Sequence, residues 1–162
     1  RQLKNNEEAL VYYRRAEKLD PENYVLSMNI GHCLMDLQRY NEALQSYYKA
    51  EFISGESPRT WRPLVWCAIM CKKYDQAGKY VQKLLAHKPV MVDFLNAGHL
   101  EWLQGSALKA IQMYKKGIRL THTAQSEFFD LFEKDLPVLL EQGINQADIP
   151  VVRDGLLYQL EE

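Results

Sequence analysis

Four histidines, three cysteines and 21 carboxylates are the side chains of this 162-residue chain that could move protons or hold metals. Cys67 and Cys71 stand i, i+4, a spacing that puts two thiols on one helix face, as half of a tetrahedral zinc site requires. No second Cys or His pair at ligand spacing accompanies them, so the sequence predicts no metal and no cofactor. His32 and His99 each follow a glycine directly. If they occupy equivalent helices two repeats apart, with neighbouring helices packed at about 8–10 Å, they are separated by roughly 20 Å. Zinc holds its ligands at about 2 Å, so the two rings cannot share one ion and are expected to line a groove instead. Glu7 and Glu8, and the set Asp130, Glu133 and Asp135, fall on expected helix surfaces and are read as solvated charge. The chain has no phosphate-cradling G-x-x-x-x-G-K-[ST], no G-x-S-x-G elbow and no H-E-x-x-H. The sequence therefore predicts no enzyme.

The elements that position these residues follow from a period. Ala9, Ala43 and Ala77 are spaced 34 apart and open similar phrases, EEALVYYRRAEKLDP, NEALQSYYKAEFISG and DQAGKYVQKLLAHKP. A fixed period of this length is the mark of a repeat architecture. Within one phrase, Ala43, Tyr47 and Ala50 recur at helical spacing. Pro21 and Pro89 stop helices, because proline removes a donor and restricts the residue before it. Ser57-Pro58 has the N-cap and N1 chemistry of a helix start. The pattern predicts helices near 6–19, 24–37, 40–53, 58–71, 74–87, 91–104, 106–120, 124–142 and 148–160, and no sheet. Cys33 and Cys67 are also 34 apart, which makes them packing positions of successive units.

The motif Ile30-Gly31-x2-Leu34 before Ala43-x3-Tyr47-x2-Ala50 resembles the tetratricopeptide repeat, as do Trp61-x2-Leu64 before Ala77 and Pro89 at that unit's end. Gly98, Ala110 and Tyr114 continue the pattern with a spacing of 33 in place of 34, and this unit ends at His122 without proline. The resemblance covers about residues 1–121. It implies an all-α, right-handed superhelical solenoid of antiparallel helix pairs, with a partial unit at 1–23 and units at 24–57, 58–90 and 91–121. Residues 122–162 leave the repeat and are expected to form two C-terminal capping helices. Phe128, Phe129, Phe132, Leu136, Leu139 and Leu140 form the stripe of the first, which ends at Gly143. Ile149, Val152, Leu156 and Leu160 form that of the second, with Asp148 as its cap. The chain opens inside a unit, so a longer parent protein is expected.

The resemblance also implies a function: a non-enzymatic protein–protein interaction module that binds a peptide or protein segment in the concave groove. By register the groove residues are Met28, His32 and Met35, with Val25 beside them, then Arg59, Arg62, Trp66 and Met70, with Ile69 beside them. The last unit adds Leu95, His99 and Trp102, with Val92; the alternative is that some of these residues are core or are covered by the C-terminal helices. Trp and Arg are frequent interface anchors, and Met adds adaptable contact. A clamp for the acidic C-terminal tails of heat-shock chaperones does not match, because Met28 and His32 stand at its first two positions. Two alternatives remain open, a secretion-type chaperone for an unfolded partner and a regulatory domain of a larger protein.

Charge is uneven along the chain. Residues 58–90 carry 7 basic and 1 acidic side chains, whereas residues 123–162 carry 2 and 9. A pI near 6.5 argues against nucleic acid as partner, which wants a basic domain. No stretch approaches the apolar length of a membrane span. The free cysteines favour a reducing, cytoplasmic setting.

Overall fold

The computed structural model describes the backbone of residues 2–121 and 125–161, and side chains over 4–121 and 125–157. The expected unit end at His122 and the packing of Leu160 lie outside these described residues. The described residues are all-α: α1 (Gln2–Leu19), α2 (Tyr24–Asp36), α3 (Tyr40–Ser54), α4 (Pro58–Met70), α5 (Tyr74–Leu85), α6 (Met91–Leu103), α7 (Ala107–Leu120), α8 (Gln125–Glu141) and α9 (Asp148–Glu161).

Local chemistry explains where these helices begin. Asn23 Oδ1 accepts from the Val25 N–H at 3.0 Å and starts α2. Ser57 Oγ accepts from Arg59 N–H at 3.3 Å, with Pro58 in the first turn of α4. Ser106 Oγ accepts from Lys109 N–H at 3.2 Å and starts α7. Each side-chain oxygen satisfies a donor that has no partner inside its helix. Before α6 the order is reversed: the Val90 N–H donates to Oδ2 of Asp93 at 2.9 Å.

The endings are as regular. Arg39 N–H donates to Leu34 O at 2.8 Å and Gln38 N–H to Met35 O at 3.0 Å. Lys73 and Lys72 repeat this after α4, and Ser106 and Gly105 after α6. These paired reach-backs are Schellman closures, which need a left-handed residue. Gln38, Lys72 and Gly105 supply it with φ of 59°, 58° and 100°. Two boundaries depart from the sequence expectation. α1 begins at Gln2 rather than near residue 6, and α5 ends at Leu85 rather than near 87. The second has a visible reason: His87 N–H donates to Leu84 O at 3.0 Å, a tightened last turn, and Lys88 is left-handed before Pro89.

The chain divides into two bodies, the residues up to Tyr80 and those from Val81. In the first, α2 and α3 form a hairpin, with α1 packed against α2 and α4 against α3. Ile30, Leu34, Ala43, Leu44, Tyr47, Ala50, Trp61 and Leu64 are its interior. In the second, α6 and α7 form the equivalent hairpin, α9 packs on α7, and α8 lies on both α6 and α7. Its core gathers Leu95, Trp102, Tyr114 and Ile118 with Phe128, Phe132, Leu136 and Leu139 of α8 and Val152 and Leu156 of α9. Leu140, expected in the α8 stripe, is exposed.

One device recurs in both hairpins. A Cβ on Gly31 would come within 2.5 Å of the Tyr47 ring, and one on Gly98 would overlap the ring of Tyr114. The glycine of the repeat thus leaves room for the tyrosine ring of the following helix.

Candidate functional site

Each first helix of a hairpin carries a phrase of the same register: Val25-x2-Met28-Asn29-x-Gly31-His32-x2-Met35 on α2, and Val92-x2-Leu95-Asn96-x-Gly98-His99-x2-Trp102 on α6. Helical spacing puts the Val, the Met or Leu, the His and the Met or Trp along one face. The two bodies treat that face differently.

In the first body, His32 is exposed. Its Nδ1 lies 2.8 Å from the Tyr47 hydroxyl, and no hydrogen-bonding group among the described residues stands at its Nε2. Desolvation lowers the pKa of the ring, and the charge of Asp36 pushes it the other way. Met28 is largely buried, Met35 is half-buried, and Val25 keeps 47% of its surface exposed. On α4, Arg59 is exposed, while Arg62, Trp66 and Met70 are half-buried. The Arg59 guanidinium donates to the Tyr24 hydroxyl at 3.4 Å and links the start of α4 to the start of α2. Ile69, expected beside this group, is wholly interior.

In the second body the same face is closed. Leu95, His99 and Trp102 retain 2%, 0% and 2% of their surface. Of the two readings of these positions, an open groove or cover by the C-terminal helices, their burial fits the second: α8 lies over them. Trp102 stacks on Phe132 at a centroid distance of 6.4 Å and donates from Nε1 to Asp148 Oδ2 at 3.3 Å. Asp148 is thus a partner of Trp102, and it sits inside α9 rather than before it. Val92 is half-buried against the same core.

His99 joins three helices. Nδ1 faces the Tyr114 hydroxyl at 2.7 Å and Nε2 faces Asp135 Oδ2 at 2.9 Å. An ionised carboxylate only accepts, so Nε2 is the donor to Asp135. The order Tyr–His–Asp resembles a catalytic relay, but the ring is fully enclosed and both nitrogens are engaged. Its chemistry is that of a satisfied buried network. Burial also raises the Tyr114 pKa well above its usual value, and the Asp135 charge adds to this. Asp135, expected among solvated carboxylates, is instead an acceptor for an interior ring. Its neighbours keep the expected role in part: Asp130 is exposed, and Glu133 pairs at the surface with Arg153 at 2.6 Å.

The cysteines are reduced thiols. Cys67 Sγ–H donates to Tyr40 O at 3.3 Å. Burial pushes its pKa up to about 12, with the Cys71 sulfur adding to it. Among the described residues no three His, Cys, Asp or Glu side chains gather as metal ligands, and no helix is long and apolar enough to cross a membrane.

Comparison with known proteins agrees with this architecture. A family model described as tetratricopeptide repeat matches residues 1–47. Tetratricopeptide repeat protein 21B of Mus musculus is 33% identical over 88 residues, 54% of this chain and 7% of that protein. Tetratricopeptide repeat-containing protein trd-1 of Caenorhabditis elegans is 21% identical over 162 residues, 99% of this chain and 20% of that protein. The chain thus spans a fifth or less of the length of these relatives. The crystal structure of MamA superposes with a TM-score of 0.69 at 20% identity, covering 96% of this chain and 89% of that one. At that identity the likeness concerns the fold.

Proposed function

We propose, from the premise that this chain is a tetratricopeptide-repeat protein, that it is a non-enzymatic interaction module that grips a protein segment on the faces of α2 and α4. Units at 24–57, 58–90 and 91–121 organise it, with the last two helices as a cap. The observation that carries this reading is the mixed face of the first body. His32 and Arg59 are exposed there, and Met35, Arg62, Trp66 and Met70 are half-buried. Half-buried Trp and Arg side chains are the commonest binding hot spots. Met28 supports the face from below, and Met35 and Met70 let it adapt to a ligand. Leu95, His99 and Trp102 act in this reading as the interior that holds α8. The free, buried Cys33 and Cys67 fit a reducing, cytoplasmic setting.

A photo-crosslinking residue placed at Trp66, at Arg62 and at Lys79 of α5 tests it. The first two positions are expected to trap one protein partner, and Lys79, which is exposed elsewhere on the first body, is not. Equal trapping at all three, or trapping at Lys79 alone, overturns the assignment.

A further inference from the structure

In the second body α8 and α9 each pack on α7, and a groove of about 430 Å³ runs between them, within the size range of ligand clefts. Its α8 wall is Glu133, Leu136, Pro137 and Leu140, spaced i, i+3, i+4 and i+7, one stripe of one helix. Its α9 wall is Ile149, Pro150 and Arg153. Leu136 and Ile149 are buried, Leu140 keeps 39% of its surface exposed, and both prolines are exposed. The groove thus presents apolar surface that neither helix covers for the other. Arg153 bridges the two walls: Nε donates to Glu133 Oε1 at 2.9 Å and Nη2 to Oε2 at 2.6 Å. This two-pronged contact helps hold the helices at their spacing before a ligand arrives. Pro137 lies inside α8 and brings no N–H to the Glu133 carbonyl one turn back, so an acceptor stands without its usual helical donor beside the groove.

The surroundings are of one sign. Asp130 and Glu141 extend the α8 stripe by one turn at either end, Asp154 stands one turn beyond Pro150 on α9, and all three are exposed. The two helices carry only two cations, Lys134 and an Arg153 already paired with Glu133. We propose that this groove docks a short basic segment of a partner protein. One large apolar side chain of that segment enters between Leu136, Leu140 and Ile149, and flanking Lys or Arg side chains pair with Asp130, Glu141 and Asp154. An apolar anchor inside a polar rim is the usual anatomy of a docking site, and opposite charge steers association and sets register. Nucleic acid and anionic lipid are disfavoured as occupants, since both would bring like charge to the rim. The site uses none of the residues of the α2 and α4 faces and stands or falls independently of them.

The probe is a fluorescent peptide KRKLLKRK, with KRKSSKRK and EDELLEDE as controls, each titrated with the whole 162-residue chain. The first is expected to bind saturably at about 10–100 μM, the second about tenfold more weakly for want of its apolar anchor, and the third not at all. Raising salt from about 50 to about 300 mM should weaken the first severalfold, as surface charge pairs are screened. Leu140→Ser should weaken it about tenfold, and Asp130→Asn with Asp154→Asn should remove most of the salt dependence. Leu108→Ser on α7, 73% exposed and outside the groove, should change nothing. Circular dichroism checks that each variant keeps the fold. A photoreactive leucine at the first Leu of the probe should crosslink to Leu136, Leu140 or Ile149. No saturable binding up to about millimolar probe overturns the proposal, as does equal binding of the Ser peptide or a crosslink mapped outside α8 and α9. So does a concentration-dependent dimer that Leu140→Ser abolishes, which gives the groove to a second copy. Probe binding lost when the chain is extended beyond residue 162 gives it to that extension.

Discussion

Asp135 of α8 accepts from Nε2 of His99 on α6 at 2.9 Å, and through that contact a carboxylate on the outer layer fixes a ring with no solvent exposure. The contact, together with the Tyr114 hydroxyl on the other nitrogen, makes the second body depend on a polar chain through its apolar core.

His99→Ala is expected to lower stability by about 2–4 kcal/mol, since it opens a cavity and leaves the Tyr114 hydroxyl buried without a partner. Asp135→Ala should cost about 1–3 kcal/mol by leaving the Nε2 proton unsatisfied. Urea unfolding measures both. The double variant should fall short of the sum, because the two residues share one bond. Strict additivity would show that the bond contributes nothing.

Gly98→Ala and Gly31→Ala should each destabilise by about 1–3 kcal/mol, because the new methyl overlaps a tyrosine ring that must move. Gly98→Ala is expected to be the worse of the two. Tyr114 is held by His99 and by edge contacts with Phe128 and Phe132, centroids 5.9 and 5.3 Å away. Thermal melts of the two variants would show a reversed order if ring confinement does not set the penalty.

The thiols should differ in reactivity. Cys71 is half-buried; burial raises its pKa, and its contact with the Cys67 thiol and the charge of Lys73 oppose the rise. Cys33 and Cys67 are buried and raised, Cys67 to about 12. Since the thiolate is the nucleophile, alkylation at about pH 8 should label Cys71 first and the other two only as the protein opens. Peptide mapping by mass spectrometry reads the order, and labelling of Cys67 at the rate of Cys71 would contradict it.

His32 sets a pH dependence of stability. Its folded pKa lies below the ordinary 6.5, with desolvation the larger cause and Asp36 opposing. The unfolded chain therefore binds the proton more readily than the folded one. The stability tied to the neutral ring is fully present above 6.5 and is lost as pH falls through the folded value. Replacing His32 by Gln should flatten this part of the urea midpoint between about pH 7.5 and 5. An unchanged slope would remove His32 as its source.

Much of the fold is legible in the amino-acid sequence. The 34-residue period, Ser57-Pro58 and the Ala43, Tyr47, Ala50 spacing report local rules of capping and helical phase, and the helices follow them closely. The purpose of the glycines is half legible. Small size at Gly31 and Gly98 implies close helices, but the contact is with one ring, which no local pattern states. The placement of α8 is legible only as a cap that could cover the last unit, and its side-chain partners are not legible. Asp135 on an acidic helix reads like any solvated carboxylate, and only the long-range meeting with His99 gives it a role. The same lack of tertiary information leaves open whether Trp102 lines a groove or is covered, since periodicity defines a stripe but not what covers it.

The Schellman closures after α2, α4 and α6 differ in one respect that bears on engineering. Gly105 adopts its left-handed turn freely, whereas Gln38 and Lys72 hold the same turn with a Cβ, at φ of 59° and 58°. A side chain in that region is strained by roughly 1 kcal/mol relative to glycine. Gln38→Gly and Lys72→Gly should each raise the melting temperature by a few degrees, with the added freedom of the unfolded chain offsetting part of the gain. The repeat thus carries its own blueprint for hardening: the Gly105 turn shows what the two earlier ones lack.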